Sequence, residues 1–218
     1  MSQSQGNLVK LDNIIPTVKA KKLSEALKMD EKISELVIRE SDKIYGGIDG
    51  FVLSSKNGIL TPNAGIDISN VKKGWAILYP KNPFDEAERL REKFSEYYRK
   101  SVGIIISDSR IYPTRLGTTG ISVAVSGFEP VVDERGRKDL FGNIMRVTQR
   151  ALSDNLVSAA QVLMGETNES TPIVIIHFNG SAKEKIHFTK RKIHTSDLSI
   201  KDDDCVYIKG FSNPIRFH

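Results

Sequence analysis

One cysteine, Cys205, stands in 218 residues, so no internal disulfide can form and no cysteine-based zinc site can be built. No apolar run approaches the roughly 18–20 residues that span a bilayer, which excludes a membrane-spanning helix. Residues 1–5 are polar and are expected to carry no signal peptide. Together these features point to a reducing, cytoplasmic setting. There is no internal repeat and no low-complexity linker. There is no phosphate loop of the G-x-x-x-x-G-K-[ST] type, and no G-x-G-x-x-G after a strand. Any nucleotide site must therefore be built another way. His177, His187, His194 and His218 all fall late in the chain and none sits in a nucleophile motif, so they read as structural or surface residues. Ser-His-Asp catalysis has no local support.

Apolar residues make up 39% of the chain, enough for a buried core and far from a disordered composition. The net charge is +5 and the pI about 9.2. Acids are interspersed with the lysines and arginines. The densest basic stretch, residues 183–192, is soon followed by Asp202, Asp203 and Asp204. A solvated basic surface, or a small phosphorylated or carboxylated ligand, accounts for this excess. No helix shows a continuous basic face, so no nucleic-acid partner is expected.

Helical periodicity begins at Pro16, with Ala20, Leu23 and Leu27 on one side. A second helix carries Ile33, Leu36 and Val37 and is expected to break at Gly46-Gly47. Residues 51–53 and 59–60 read as strands about an Asn57-Gly58 turn. Residues 75–79 read as a strand. Pro83 opens an amphipathic helix through Phe84, Ala87, Leu90, Phe94 and Tyr98. Residues 102–106 read as a strand buried on both faces and ending before Ser107-Asp108-Ser109. Residues 121–125 read as another strand. A long helix is expected over 144–164, with Leu152, Leu156, Ala159 and Leu163 inward and Gly165 closing it. Residues 172–178 read as a last core strand. Without strict alternation of strand and helix, the class is α+β or irregular α/β.

Three carboxylates stand out. Asp108 follows an apolar strand, where it can be a metal ligand or a turn cap. Asp67, in Asn63-Ala64-Gly65-Ile66-Asp67-Ile68-Ser69-Asn70, can offer oxygen ligands or form an ordinary Asx turn. Glu166 lies just past a helix C-terminus, where the dipole disfavours a carboxylate unless a cation is bound; otherwise it is a solvated surface residue. With no histidine or cysteine beside them, such donors suit Mg²⁺ or Mn²⁺ and not zinc.

Those segments, with Ile106-Ser107-Asp108-Ser109, Pro113-Thr114-Arg115-Leu116-Gly117, residues 136–142 and residues 154–166, resemble the coenzyme F-420-0:L-glutamate ligase (gamma-glutamyl ligase) family across residues 6–178. The resemblance implies GTP-driven addition of L-glutamate to the carboxylate of coenzyme F-420-0, through an acyl phosphate, and then a gamma-linked glutamate. It implies two Mg²⁺ or Mn²⁺ sites at Asp67, Asp108, Ser109 and Glu166, with K⁺ assisting. It implies GTP contacts at Asn70 and at Met164, Gly165, Glu166, Thr167, Asn168, Glu169, Ser170 and Thr171. Arg115 matches a motif arginine; by its chemistry it can bind an anionic substrate group. The implied fold is an irregular α+β arrangement of two subdomains in an intertwined homodimer. The family-like domain covers residues 1–180, and residues 181–218 are an unassigned extension. Two departures are visible. Ile111-Tyr112 stands where Gly-Arg is usual. Residues 1–5 stand where the family carries a first strand and a Ser-Lys motif that contacts GTP, so the chain reads as an N-terminally truncated member. The alternative is a non-catalytic relative that binds nucleotide or metal without turnover.

Overall fold

The computed structural model of the protein describes residues 7–179 and 186–213. The architecture is mixed α+β. In chain order the elements are β1 (Asn7–Lys10), α1 (Val18–Leu27), α2 (Glu31–Glu40), β2 (Lys43–Ile48), β3 (Phe51–Lys56) and β4 (Ile59–Pro62). There follow β5 (Trp75–Leu78), α3 (Pro83–Tyr98), β6 (Ile104–Ile111), β7 (Thr118–Ser126), β8 (Val131–Asp133), β9 (Gln149–Ala151), α4 (Leu152–Met164) and α5 (Val206–Ser212). The strands form small sheets: β1 with β5, the meander β2-β3-β4, β6 with β7, and β8 with β9. All these pairings are antiparallel. No helix among the described residues is long and apolar enough to cross a membrane.

Local signals set several boundaries. Thr17 stays extended and its hydroxyl accepts from the Ala20 N–H, so α1 starts after it and Pro16 lies just outside. Asp30 caps α2 by accepting from the Lys32 and Ile33 N–H groups at 2.8 and 3.0 Å. The Asn57-Gly58 pair turns β3 into β4 with φ of +51° and +73°, the hand that matches strand twist. Gly165 closes α4.

Non-local partners move other boundaries away from the sequence expectation. Helix α2 ends at Glu40; Gly46 and Gly47 lie inside β2, beside an irregularity in its pairing with β3. Strand β6 does not end at Ile106. It continues through Ser107, Asp108 and Ser109 to Ile111, because β7 supplies backbone partners, Asp108 opposite Ile121. The apolar run stops there but the ladder does not. Helix α4 begins at Leu152, since Gln149–Ala151 pairs with β8. Its buried side is Leu152, Ser153 and Val157, whereas Leu163 is exposed. Residues 172–178 form no strand: Ile173 and Ile175 remain 68% and 71% exposed. An apolar run becomes a strand only where a partner edge takes its backbone hydrogen bonds. His177, His187 and His194 are exposed, and His218 lies outside the described residues.

Helices α3 and α4 pack against the β6–β7 hairpin. Between them Val125, Phe128, Leu152 and Ile193 form a core, flanked by Phe84, Ile105, Leu156 and Leu198. Each fully buried side chain of this kind contributes about 1.5–3 kcal/mol. A second cluster of Ile14, Leu36 and Ala76 joins α2 to the β1–β5 pair. The chain beyond residue 186 folds back over this body. Ile193 enters the first core, Lys192 meets Asp85 at 2.7 Å, and Lys43 meets Asp202 at 2.6 Å.

Candidate functional site

The turn after β4 is unusual in hand. Asn63, Ala64 and Gly65 all have positive φ, +51°, +55° and +69°. For an alanine this conformation costs about 1–2 kcal/mol. It is held by buried hydrogen bonds. The Val52 N–H donates to Asn63 Oδ1 at 2.8 Å, and the Ala64 N–H to Ser54 Oγ at 2.9 Å. The Tyr79 ring fills the space beside Gly65, where a Cβ would stand 2.4 Å from Tyr79 Cε1. Gly65→Ala is expected to lower stability by about 2–3 kcal/mol, combining backbone strain with displacement of the ring. Its urea midpoint measures this, and an unchanged midpoint would show that Tyr79 yields freely.

This turn delivers Asp67 beside β5, where its N–H and C=O exchange hydrogen bonds with Ile77 at 3.0 and 2.8 Å. The Asp67 carboxylate accepts from the Ser69 N–H at 2.7 Å and the Ser69 hydroxyl at 2.8 Å. The Asx turn is therefore real. It uses two of about four acceptor positions of the carboxylate and leaves the others for a ligand.

Asp108 comes from β6. Burial raises its carboxyl above the usual range, and the negative charge of Asp67 adds to the effect. The Tyr79 hydroxyl, buried at the end of an apolar strand, is raised well above its usual range, by burial first and then by Asp108. A buried carboxyl raised in this way, with a second carboxylate near it, forms a site that a divalent cation would relieve.

A cavity of about 760 Å³ gathers Asp67 and Asp108, with Tyr79 outside its lining. Asp67, Ser69, Asn70, Asp108 and Ser109 line one part, and Gln161, Met164, Gly165 and Glu166 from the end of α4 another. Glu166 is exposed and accepts a hydrogen bond from Gln161 Nε2. Asn70 Nδ2 donates to the Thr167 carbonyl at 2.9 Å, tying the Asp67 turn to the loop after α4. Within that loop the Glu169 carboxylate accepts from the Thr167 N–H at 2.8 Å. Thr167, Asn168, Glu169 and Ser170 are exposed and Thr171 is half-buried, and none of them lines the cavity. Arg115 is not brought to the cavity; it is exposed on the β6–β7 turn. Among the described residues no three His, Cys, Asp or Glu side chains stand close enough to hold a metal ion by themselves. The donors that do line the cavity are hard oxygens, which fit Mg²⁺ or Mn²⁺ with water or phosphate completing the shell.

Sequence reasoning missed Tyr79 and Gln161. For Tyr79 a signal was present: a hydroxyl ending an apolar strand needs a polar neighbour. Gln161 is one polar residue on a helix, and only its place at the cavity distinguishes it.

Residues 1–177 match the family model described as F420-0:Gamma-glutamyl ligase. A protein of Methanocaldococcus jannaschii named coenzyme F420:L-glutamate ligase is 39% identical over 177 residues, 81% of this chain and 71% of the relative. One of the same name from Methanopyrus kandleri is 36% identical over 189 residues, 86% and 74% of the two chains. Another from Methanothermobacter thermautotrophicus is 35% identical over 177 residues, 81% and 70%.

Proposed function

The chain belongs to the F420-0:gamma-glutamyl ligase family, and from that premise we propose that it is a GTP-dependent ligase joining L-glutamate to the carboxylate of coenzyme F-420-0. The observation that carries this reading is the convergence of Asp67, Asn70, Asp108, Ser109 and Glu166, from three separate segments, on one cavity.

A free carboxylate is a poor acylating agent. In the proposed reaction a carboxylate oxygen of the acceptor attacks the γ-phosphorus of GTP and GDP leaves, giving an acyl phosphate. The amine of L-glutamate then attacks the carbonyl carbon, inorganic phosphate leaves, and the amine gives up a proton. A second glutamate would enter by its amine at the γ-carboxylate of the first. Asp67, Asp108, Ser109 and Glu166 would hold two Mg²⁺ or Mn²⁺ ions, which offset charge on the phosphate oxygens, and K⁺ is a further proposed requirement. Asn70 and residues 164–171 would position the nucleotide. Arg115 would meet an anionic part of the substrate from its place on the β6–β7 turn. The proposal includes two subdomains, an intertwined homodimer and a cytoplasmic location.

A second reading is binding of nucleotide or metal without turnover. The two readings part in one experiment. The chain is incubated with coenzyme F-420-0, GTP, L-glutamate and Mn²⁺, and GDP and glutamylated product are followed by mass spectrometry. Equal amounts of GDP and product are expected. Nucleotide binding with no product would sink the ligase reading.

A further inference from the structure

A second cavity, of about 460 Å³, lies against the end of β6 and the middle of β7. Its walls include Arg110 and Tyr112, Tyr45 from β2, Leu60 from β4, Asp154 from α4 and Lys201 from the C-terminal segment. Arg110 is its notable group. Its Nη2 donates to the Tyr112 hydroxyl at 2.8 Å, and its guanidinium lies over the Tyr112 ring at 4.4 Å. Its Nε is buried and has no hydrogen-bond partner. No carboxylate among the described residues forms an ion pair with it.

The acids nearby are already engaged. Asp154 accepts from the Ser122 N–H at 2.9 Å and from the Ser122 hydroxyl. Asp202 accepts from Lys43 Nζ at 2.6 Å and the Tyr45 hydroxyl at 2.9 Å. What is left at the cavity wall is the Arg110 guanidinium, braced by Tyr112 and without an acidic partner among the cavity's acids. The planar fork of an arginine matches a carboxylate or a phosphate with two parallel hydrogen bonds, and an amino acid offers the carboxylate.

Position links this group to the reaction centre. Arg110 follows Asp108 by two residues on β6, so both lie on one side of the strand, about 7 Å apart along it. The chain has Ile111-Tyr112 where the family resemblance implies Gly-Arg, and Arg110 supplies a guanidinium two residues earlier.

We propose that Arg110, braced by Tyr112, is the carboxylate clamp of an amino-acid subsite in this second cavity. The clamp holds the α-carboxylate of the incoming amino acid while its amine is directed toward Asp108. That the amino acid is L-glutamate rests on the ligase reading; the carboxylate chemistry of the clamp does not.

The test uses the full chain and two variants, with L-glutamate binding measured by calorimetry and steady-state constants measured alongside. Arg110→Lys keeps the charge but loses the fork. It is expected to weaken L-glutamate binding by about 10- to 100-fold and to raise KM for L-glutamate in proportion, with KM for GTP unchanged. 4-Aminobutyrate, which lacks the α-carboxylate, is expected to bind both forms equally weakly. Equal L-glutamate affinity in the two forms would overturn the clamp. Discrimination of 4-aminobutyrate by Arg110→Lys as well would overturn its assignment to the α-carboxylate. Should Arg110→Lys fail to fold, Tyr112→Phe decides: a several-fold loss of L-glutamate affinity supports the clamp and no loss overturns it. Arg110-dependent L-glutamate binding in a chain that forms no product supports the clamp and sinks the ligase reading. Product formation with unchanged KM in Arg110→Lys does the reverse.

Discussion

Asp108→Asn is expected to lower kcat for ligation by about a hundredfold or more while the melting temperature without divalent cation holds or rises. The two effects have one cause. The Asp108 carboxylate is kept in a desolvated place where burial raises its pKa and Asp67 opposes its charge. A group whose folded pKa is raised stabilises the fold fully only below its unfolded value of 3.8, and that stability is lost as pH rises through the raised value. Near neutral pH the charge is therefore a liability for folding. Asparagine is neutral at every pH and nearly the same shape, so it removes the liability. It also removes the charge proposed to hold a cation against phosphate. Mn²⁺ should then raise the melting temperature of the wild-type chain and leave that of Asp108→Asn little changed. Thermal melts with and without Mn²⁺, beside turnover assays, check both halves. Loss of stability together with activity would make Asp108 a structural residue.

The same carboxylate shows what the sequence could and could not reveal. The turn at Asn57-Gly58 and the stop at Gly165 were legible because each depends on a few adjacent residues. The place of Asp108 was not. Ser107, Asp108 and Ser109 end an apolar run, which reads as the end of a strand, yet β7 carries the ladder onward to Ile111. Beginning α4 at Leu152 likewise required knowing that β8 claims Gln149–Ala151.

The site followed the same division. For Asp67, Asp108 and Glu166 taken singly, metal ligand and turn or surface residue stayed open; the family resemblance brought them together, and the structure sets all three on one cavity. Arg110 attracted no notice in the sequence, because an arginine among turn residues is ordinary. Its stacking on Tyr112 and its unmet donor exist only once the strand is placed. The C-terminal segment has weak periodicity because it docks through separate contacts, Ile193 and Leu198 in the first core and Asp202 with Lys43, and not through a regular helix or strand face.

Glu35→Ala is expected to destabilise the fold by about 3 kcal/mol, a drop in melting temperature of about 6–12 °C for a chain of this size. Glu35 is only 3% exposed, yet its charge is well supplied. One carboxylate oxygen accepts from the Thr17 N–H at 2.8 Å and the Thr17 hydroxyl at 2.7 Å; the other accepts from Arg39 Nε at 2.7 Å. Thr17 is also the N-cap of α1, so the carboxylate sits at the positive end of that helix and pins it to α2. These hydrogen bonds, those from Thr17 foremost, hold the Glu35 carboxyl at about 2, against 4.5 in a free side chain. A depressed folded pKa gives stability that is present above 4.5 and is lost as pH falls toward 2. Glu35→Gln keeps the shape and removes the charge. Its deficit relative to wild type should therefore be widest at neutral pH and narrow as pH falls through that window. Urea midpoints measured across the window for wild type, Glu35→Gln and Glu35→Ala test the sign. A deficit that stays constant with pH would mean that the packing of Glu35, and not its charge, joins the two helices.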